Sequence, residues 1–259
     1  MFMLSFILYL KNGSTMTNFS NGTLNNGVSY GIGTVSIEYN AVLNNDGTIN
    51  NDDELNNTGG TLNNTGTLTS TGTLTNDAGG TVDATTITNN GTFNFTGGTL
   101  NVDTFNGELA NTGGTLGPGH SPGTTTINGD YSQDASSTLL IEIEGLIAGT
   151  EYDVLNVTGT ATLDGVLDFD LDYSGLELGD SFDILSADII SGTFASITDQ
   201  QINTEWVWEF DYDLDLSGTD ILTARVTAVP IPEPSTGLLA LFGLALLPHR
   251  RRNLRRRSN

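Results

Sequence analysis

Between about Thr17 and Leu116 the chain sets single apolar residues at short intervals among Thr, Asn and Gly. The unit is Gly-Thr followed by one apolar residue. It occurs at Gly22-Thr23-Leu24, Gly33-Thr34-Val35, Gly47-Thr48-Ile49, Gly60-Thr61-Leu62 and Gly66-Thr67-Leu68. It returns at Gly72-Thr73-Leu74, Gly80-Thr81-Val82, Gly91-Thr92-Phe93, Gly98-Thr99-Leu100 and Gly114-Thr115-Leu116. Thr beside one apolar residue predicts a short β segment with Thr outward and the apolar side chain inward. Gly is expected to supply turn conformations closed to other residues. Asn tolerates left-handed backbone and stacks in hydrogen-bonded ladders. No unit is long enough to bury a core alone, so the units must stack, which is the logic of a solenoid. Their spacing runs from about six to sixteen residues, so one unit is not one rung. A rung of roughly twenty residues would hold two or three of these strands. No helical period competes with this reading.

After the Pro- and Gly-rich seam Gly117–Gly123 the strands lengthen and the alternation sharpens, as in Thr138–Gly145, Tyr152–Tyr173, Asp180–Ala187 and Glu205–Leu216. In the last of these Trp206, Trp208, Phe210, Tyr212, Leu214 and Leu216 share one face, opposite Glu205, Val207, Glu209, Asp211, Asp213 and Asp215. That is a half-buried strand with an acidic solvent face. The expected fold is all-β: a β-solenoid of Gly-Thr repeats over 17–117 and a longer-stranded solenoid cap region over 118–228.

Both ends differ from this body. Residues 1–16 open on a ten-residue run, apolar but for Ser5, with no preceding cation and no small-residue cleavage site. They read as a degenerate export signal, a wrongly assigned start or a first strand. Residues 229–259 begin with Val229, Pro230, Pro232, Glu233, Pro234 and Ser235. An apolar run follows: Gly237, Leu238, Leu239, Ala240, Leu241, Phe242, Gly243, Leu244, Ala245, Leu246 and Leu247. The tail closes on Arg250, Arg251, Arg252, Arg255, Arg256 and Arg257. As a helix the run covers roughly 18 Å, short of the roughly 30 Å hydrocarbon core. The arginines favour a cytoplasmic end, which leaves the body on the far side of the membrane.

Pro232-Glu233-Pro234-Ser235, an apolar stretch and a terminal arginine cluster, in that order, resemble the PEP-CTERM sorting signal. The resemblance covers about the last thirty residues. It implies an exported protein carried to the membrane by a short C-terminal hydrophobic helix. An exosortase-like enzyme would process it near the Pro-Glu-Pro motif and release it to the envelope or the extracellular matrix. A second resemblance spans about residues 110–195, through Gly113–Gln133, Ser137–Gly145, Glu151–Phe169, Gly179–Leu185 and Ser191–Phe194. It is similar to the closing part of autotransporter-passenger β-helices, and it implies a right-handed parallel β-helix and no catalytic activity.

Charge sharpens the picture. The net charge is −23, yet no Lys or Arg occurs from Gly13 to Ala224, and six of the eight basic residues lie in the terminal cluster. An acidic body of this kind excludes nucleic acid as a partner. There is no cysteine, hence no disulfide or thiolate metal site. His120 beside Ser121 lacks the strained nucleophile turn of a hydrolase, and a body without lysine cannot supply a phosphate-binding loop. Asp168, Asp170 and Asp172, with Asp211, Asp213 and Asp215, are weak oxygen-ligand candidates for Ca²⁺. The EF-hand spacing fails at Tyr173 and Gly179, so no cofactor is expected. The function expected is that of a non-enzymatic cell-surface or matrix protein. The alternative is a β-helix that binds or cleaves extracellular polysaccharide with its acidic face, aided by Ca²⁺, since paired carboxylates suffice for inverting hydrolysis. Trp206, Trp208, Phe210 and Tyr212 would then be its sugar-stacking rings if exposed.

Overall fold

The computed structural model describes residues 6–11, 13–27, 33–198, 202–203, 205–213 and 218–229. Among them there is no helix; every regular element is a strand. The first turn of the chain is β1 (Phe6–Leu10), β2 (Thr15–Asn18) and β3 (Thr23–Asn26). The second is β4 (Gly33–Glu38), β5 (Val42–Asn45) and β6 (Thr48–Asn51), and the third β7 (Glu54–Thr58), β8 (Thr61–Asn64) and β9 (Thr67–Ser70). Next come β10 (Thr73–Asp77), β11 (Thr81–Asn89), β12 (Thr92–Phe95), β13 (Thr99–Asn106), β14 (Leu109–Asn111), β15 (Thr115–Pro118) and β16 (Thr124–Asn128). The C-terminal part holds β17 (Tyr131–Gln133), β18 (Thr138–Ile143), β19 (Val154–Leu163), β20 (Val166–Leu171), β21 (Ser181–Gly192), β22 (Ser196–Ile197), β23 (Trp206–Asp213) and β24 (Asp220–Ala228).

Parallel pairing sorts these strands into three stacks, the three faces of a solenoid. Face A stacks β1, β4, β7, β10, β12, β14, β17 and the end of β19. Face B stacks β2, β5, β8, the start of β11, the start of β13, β15, β18, β20 and β22. Face C stacks β3, β6, β9, the end of β11, the end of β13, β16, the start of β19 and part of β21. In the regular middle, stacked residues are 19 apart, as in Asn45 over Asn64. A rung therefore holds three short strands, one on each face, and not every strand opens on a Gly-Thr unit.

The apolar member of each unit points inward. On face B, Leu43, Leu62, Val82, Leu100, Leu116, Leu139 and Leu167 form one in-register file, all fully buried. On face C, Ile49, Leu68, Ile87, Phe105 and Ile127 do the same. Each such side chain contributes about 1.5–3 kcal/mol by leaving water.

Asn at the end of a unit also turns inward, at the corners, and forms ladders. Asn18 Nδ2 donates to Asn45 Oδ1 at 2.7 Å, and Asn45 Nδ2 to Asn64 Oδ1 at 2.5 Å. Asn26 donates to Asn51 at 2.7 Å, and Asn51 to the Ser70 hydroxyl at 2.9 Å. Asn57 donates to Asn76 at 3.0 Å. These ladders have a direction, each amide N–H pointing to the next rung, so the first oxygen of a ladder has no donor behind it. Asn26 Oδ1 begins its ladder, and Asn57 Oδ1 follows Ile37. Asn89 Oδ1 follows Ser70, whose hydroxyl donates to Gly72 O instead. All three oxygens are buried without a protein partner.

Glycine earns its place in the unit for a reason other than the expected turn conformation. Of the ten unit glycines only Gly98 has positive φ. At Gly66 a Cβ would run into the carbonyl of Gly47 one rung back, and at Gly91 into that of Gly72. Stacked turns approach too closely for a side chain. Left-handed backbone falls on other glycines, such as Gly59 and Gly79.

The parallel winding ends at β22. The last two strands are antiparallel: β24 pairs with β21 from Ser181 to Ala187 and with β23 along its whole length. β24 thus covers the open edge of face C, the kind of edge that otherwise recruits other chains. Trp208 on β23 is buried and lies over the end of the core, stacked on Phe169 at 5.0 Å and edge-on to Phe182 at 5.7 Å. The C-terminal hydrophobic helix expected from the sequence lies outside the described residues. Among those residues no helix is long and apolar enough to cross a membrane.

Candidate functional site

The rungs present their outward residues as files, so the chemistry of each face can be followed along the stack. Face B becomes acidic toward its C-terminal end. Glu142 and Asp170 stand opposite each other in register, and with Glu144, Leu171 and Asp172 they line a shallow groove. Asp168 accepts a hydrogen bond from the Thr198 hydroxyl. Beneath this strip Asp153 is buried, accepting from Gly123 N at 2.6 Å and Glu142 N at 2.9 Å. Burial raises its carboxyl to about 7; the two backbone donors oppose that rise, and Glu142 and Glu144 add to it.

The loop between β15 and β16 crosses the same face. His120 Nδ1 lies 2.8 Å from Asp103 and Nε2 lies 2.6 Å from Asp83, so one ring ties two earlier rungs to this loop. The hydrogen bond that the ring donates to Asp103 raises the imidazole above its ordinary value, partly offset by burial and supported by the charge of Asp83. Ser121 donates to Glu142. With both ring nitrogens on carboxylates, His120 is not placed as a base for Ser121.

The acidic ladders singled out in the sequence are separate. Asp168, Asp170 and Asp172 lie on or just beyond β20, and Asp211 and Asp213 on the exposed side of β23. Asp215 lies outside the described residues. Among the described residues no three acidic or His side chains are grouped to hold a metal ion. The aromatic face of β23 turns to the core: Trp208 is buried, while Trp206, Phe210 and Tyr212 pack against the core partly buried. Those rings do not form an open sugar platform.

Face C has a different character. One outward file runs Thr23, Thr48, Thr67, Thr86, Thr104 and Thr126. The second runs Asn25, Asn50, Thr69, Thr88, Asn106 and Asn128. Neither file contains a charge. Within the second, Asn50 donates to Asn25 at 2.9 Å, Asn106 to Thr88 at 3.1 Å and Asn128 to Asn106 at 2.7 Å. Face A carries Glu54 and Asp77 at its outward positions, and face B carries Asp83, Glu142, Asp168 and Asp170. The repeat itself carried the signal for this neutral face, since Thr and Asn occur two apart in Thr-Leu-Asn and Thr-Ile-Asn. Which units share a face depends on rung length and is not visible in any single unit.

Of the expected sorting segment only Val229 is among the described residues. Its N–H donates to Glu205 O at 2.7 Å, directly after the last strand. Pro230, Pro232, Glu233, Pro234, Ser235, the apolar run from Gly237 to Leu247 and the arginines from Arg250 to Arg257 lie outside them.

The described body thus belongs to the class of parallel β-solenoids with an antiparallel cap. Residues 230–257 match the PEP-CTERM protein-sorting motif. No curated protein matches the chain.

Proposed function

We propose that this is an exported, non-enzymatic component of the cell surface or extracellular matrix, delivered by its C-terminal segment. The observation that carries this reading is the sorting-motif match at 230–257, which starts two residues after the last strand ends at Ala228. The apolar run would engage the membrane as a short helix, with the arginines cytoplasmic. An exosortase-type enzyme would cut near Pro232–Ser235. All secondary structure described here precedes that point, so the cut would spare the solenoid. The coil is taken as right-handed, the hand that parallel crossovers overwhelmingly adopt.

Support for a non-enzymatic role comes from the separation of His120 and Ser121 onto different carboxylates and from the packing of the β23 rings into the core. Extracellular polysaccharide remains the natural environment for the released body. The test is intact-mass analysis of the protein from its native host, in cytoplasmic, membrane and external fractions. A product outside the cell ending between Pro232 and Ser235 is expected. A full-length protein confined to the cytoplasm overturns the reading.

A further inference from the structure

We propose that face C is a surface for binding ice, the crystalline lattice of water. This inference concerns the folded body alone and stands apart from how the chain is sorted. Four observations carry it.

The first is regularity. Across the six stacked segments from β3 to β16 the pairing is in register, and no irregularity interrupts face C before β19 meets β21. Outward groups on such a stack repeat at about 4.8 Å along each file, and residues two apart in a strand place the files about 6.6–6.8 Å from each other. The result is a regular two-dimensional array of hydroxyl and amide groups, with spacings of the same order as those between oxygen rows in ice.

The second is the exclusion of charge. The chain carries a net charge of −23, and both other faces bear carboxylates. Two files of six on face C bear none. A carboxylate or ammonium holds its own tight water shell, which a crystal of water cannot incorporate. Thr and Asn bond to water in either direction, and the Thr methyl group leaves room for an ordered layer between hydroxyls.

The third is preorganisation. The bonds Asn50 to Asn25, Asn106 to Thr88 and Asn128 to Asn106 hold these side chains in one arrangement before any ligand arrives. Side-chain ordering, normally a cost of binding, has already occurred.

The fourth is what the face lacks. Neither file contains an aromatic ring, which argues against a sugar chain as occupant. The array measures about 29 Å by about 13 Å, under half the roughly 800 Å² per partner of a standard interface. It also has no apolar centre for a second copy to cover. A crystal face needs neither ring nor apolar centre; it needs only many weak contacts in the same two-dimensional repeat.

The experiment uses the full chain, fluorescently labelled, at a slowly advancing ice front, together with ice-recrystallisation and thermal-hysteresis assays. The chain is expected to enter the ice and to slow recrystallisation. Thr86→Tyr, at the centre of the first file, is expected to lose both effects, whereas Thr73→Tyr on face A keeps them. Thr104→Lys, which adds a charge rather than bulk, is expected to lose them too. Far-ultraviolet circular dichroism checks each fold. Exclusion of the unaltered full chain from ice overturns the proposal whatever the variants do. So does binding to ice that Thr86→Tyr and Thr104→Lys, both folded, leave unchanged. Retention on insoluble uncharged glucan, or a concentration-dependent dimer abolished by Thr86→Tyr, with no entry into ice, overturns it in favour of a polysaccharide or a second copy.

Discussion

At the scale of single residues, the inward-turned polar groups set the terms of stability. Asn45 is fully buried and sits in the middle of a ladder, accepting from Asn18 and donating to Asn64. Replacing it with Leu leaves the Asn18 N–H without Asn45 as acceptor and Asn64 Oδ1 without Asn45 as donor. The expected loss is about 1–3 kcal/mol for each group stranded, measured by urea denaturation. Asp153 gives a dependence on pH with a definite sign. Its folded carboxyl titrates near 7 against 3.8 when unperturbed, so the folded state holds a proton that the unfolded state has released. Its contribution is fully present below about 4 and is lost as pH rises toward 7. His120 acts in the same direction: its raised value favours the folded state below the ordinary histidine range, and that advantage fades as pH climbs through the folded value. The thermal midpoint is therefore expected to fall from pH 5 to pH 8. Asp153→Asn should flatten the part of that slope between about 4 and 7, and a flat wild-type profile would contradict the assignment.

At the scale of elements, the inward-outward phase of each strand was legible in the sequence because Thr and a single apolar residue leave only one way to sit on a core. Leu62, Leu68, Leu74 and Leu100 are all fully buried where their units put them. The grouping into three faces was not legible. The units vary in spacing, and β11 and β13 each bend across a corner to serve two faces without a Gly-Thr to announce the second. The stacking role of glycine was hidden for the same reason, since a clash with the previous rung cannot be found inside one rung. Gly66→Ala is accordingly expected to destabilise the solenoid by about 1–3 kcal/mol through overpacking against Gly47, read from chemical denaturation. The antiparallel finish was equally silent, because alternation fits a strand in either direction. Of the candidate functional residues, the tail was readable as an ordered motif, whereas the buried setting of Asp153 and the contacts of His120 arise only from pairing across rungs.

At the scale of the whole molecule, the division between a lysine-poor acidic body and an arginine-rich tail makes stability a matter of ionic strength. The described body offers few cations to offset its carboxylates: Lys11 pairs with Glu38 at 3.2 Å, and Arg225 is exposed on β24. Removing residues 230–259 takes away six arginines and one glutamate and leaves the remainder more acidic than the whole. Repulsion among such carboxylates opposes the compact state, and salt screens it over about 8 Å at physiological ionic strength. A chain ending at Val229 should therefore keep its far-ultraviolet spectrum, because β24 is complete. Its thermal midpoint should rise as salt goes from about 0.01 M to about 0.15 M, the Debye length shrinking from about 30 Å to about 8 Å. A midpoint that fell with salt would mean that attraction rather than repulsion dominates the body's charges. Loss of the β-spectrum on truncation would mean that the tail takes part in the fold, and a segment that does so could not be discarded by a sorting enzyme without cost to the solenoid.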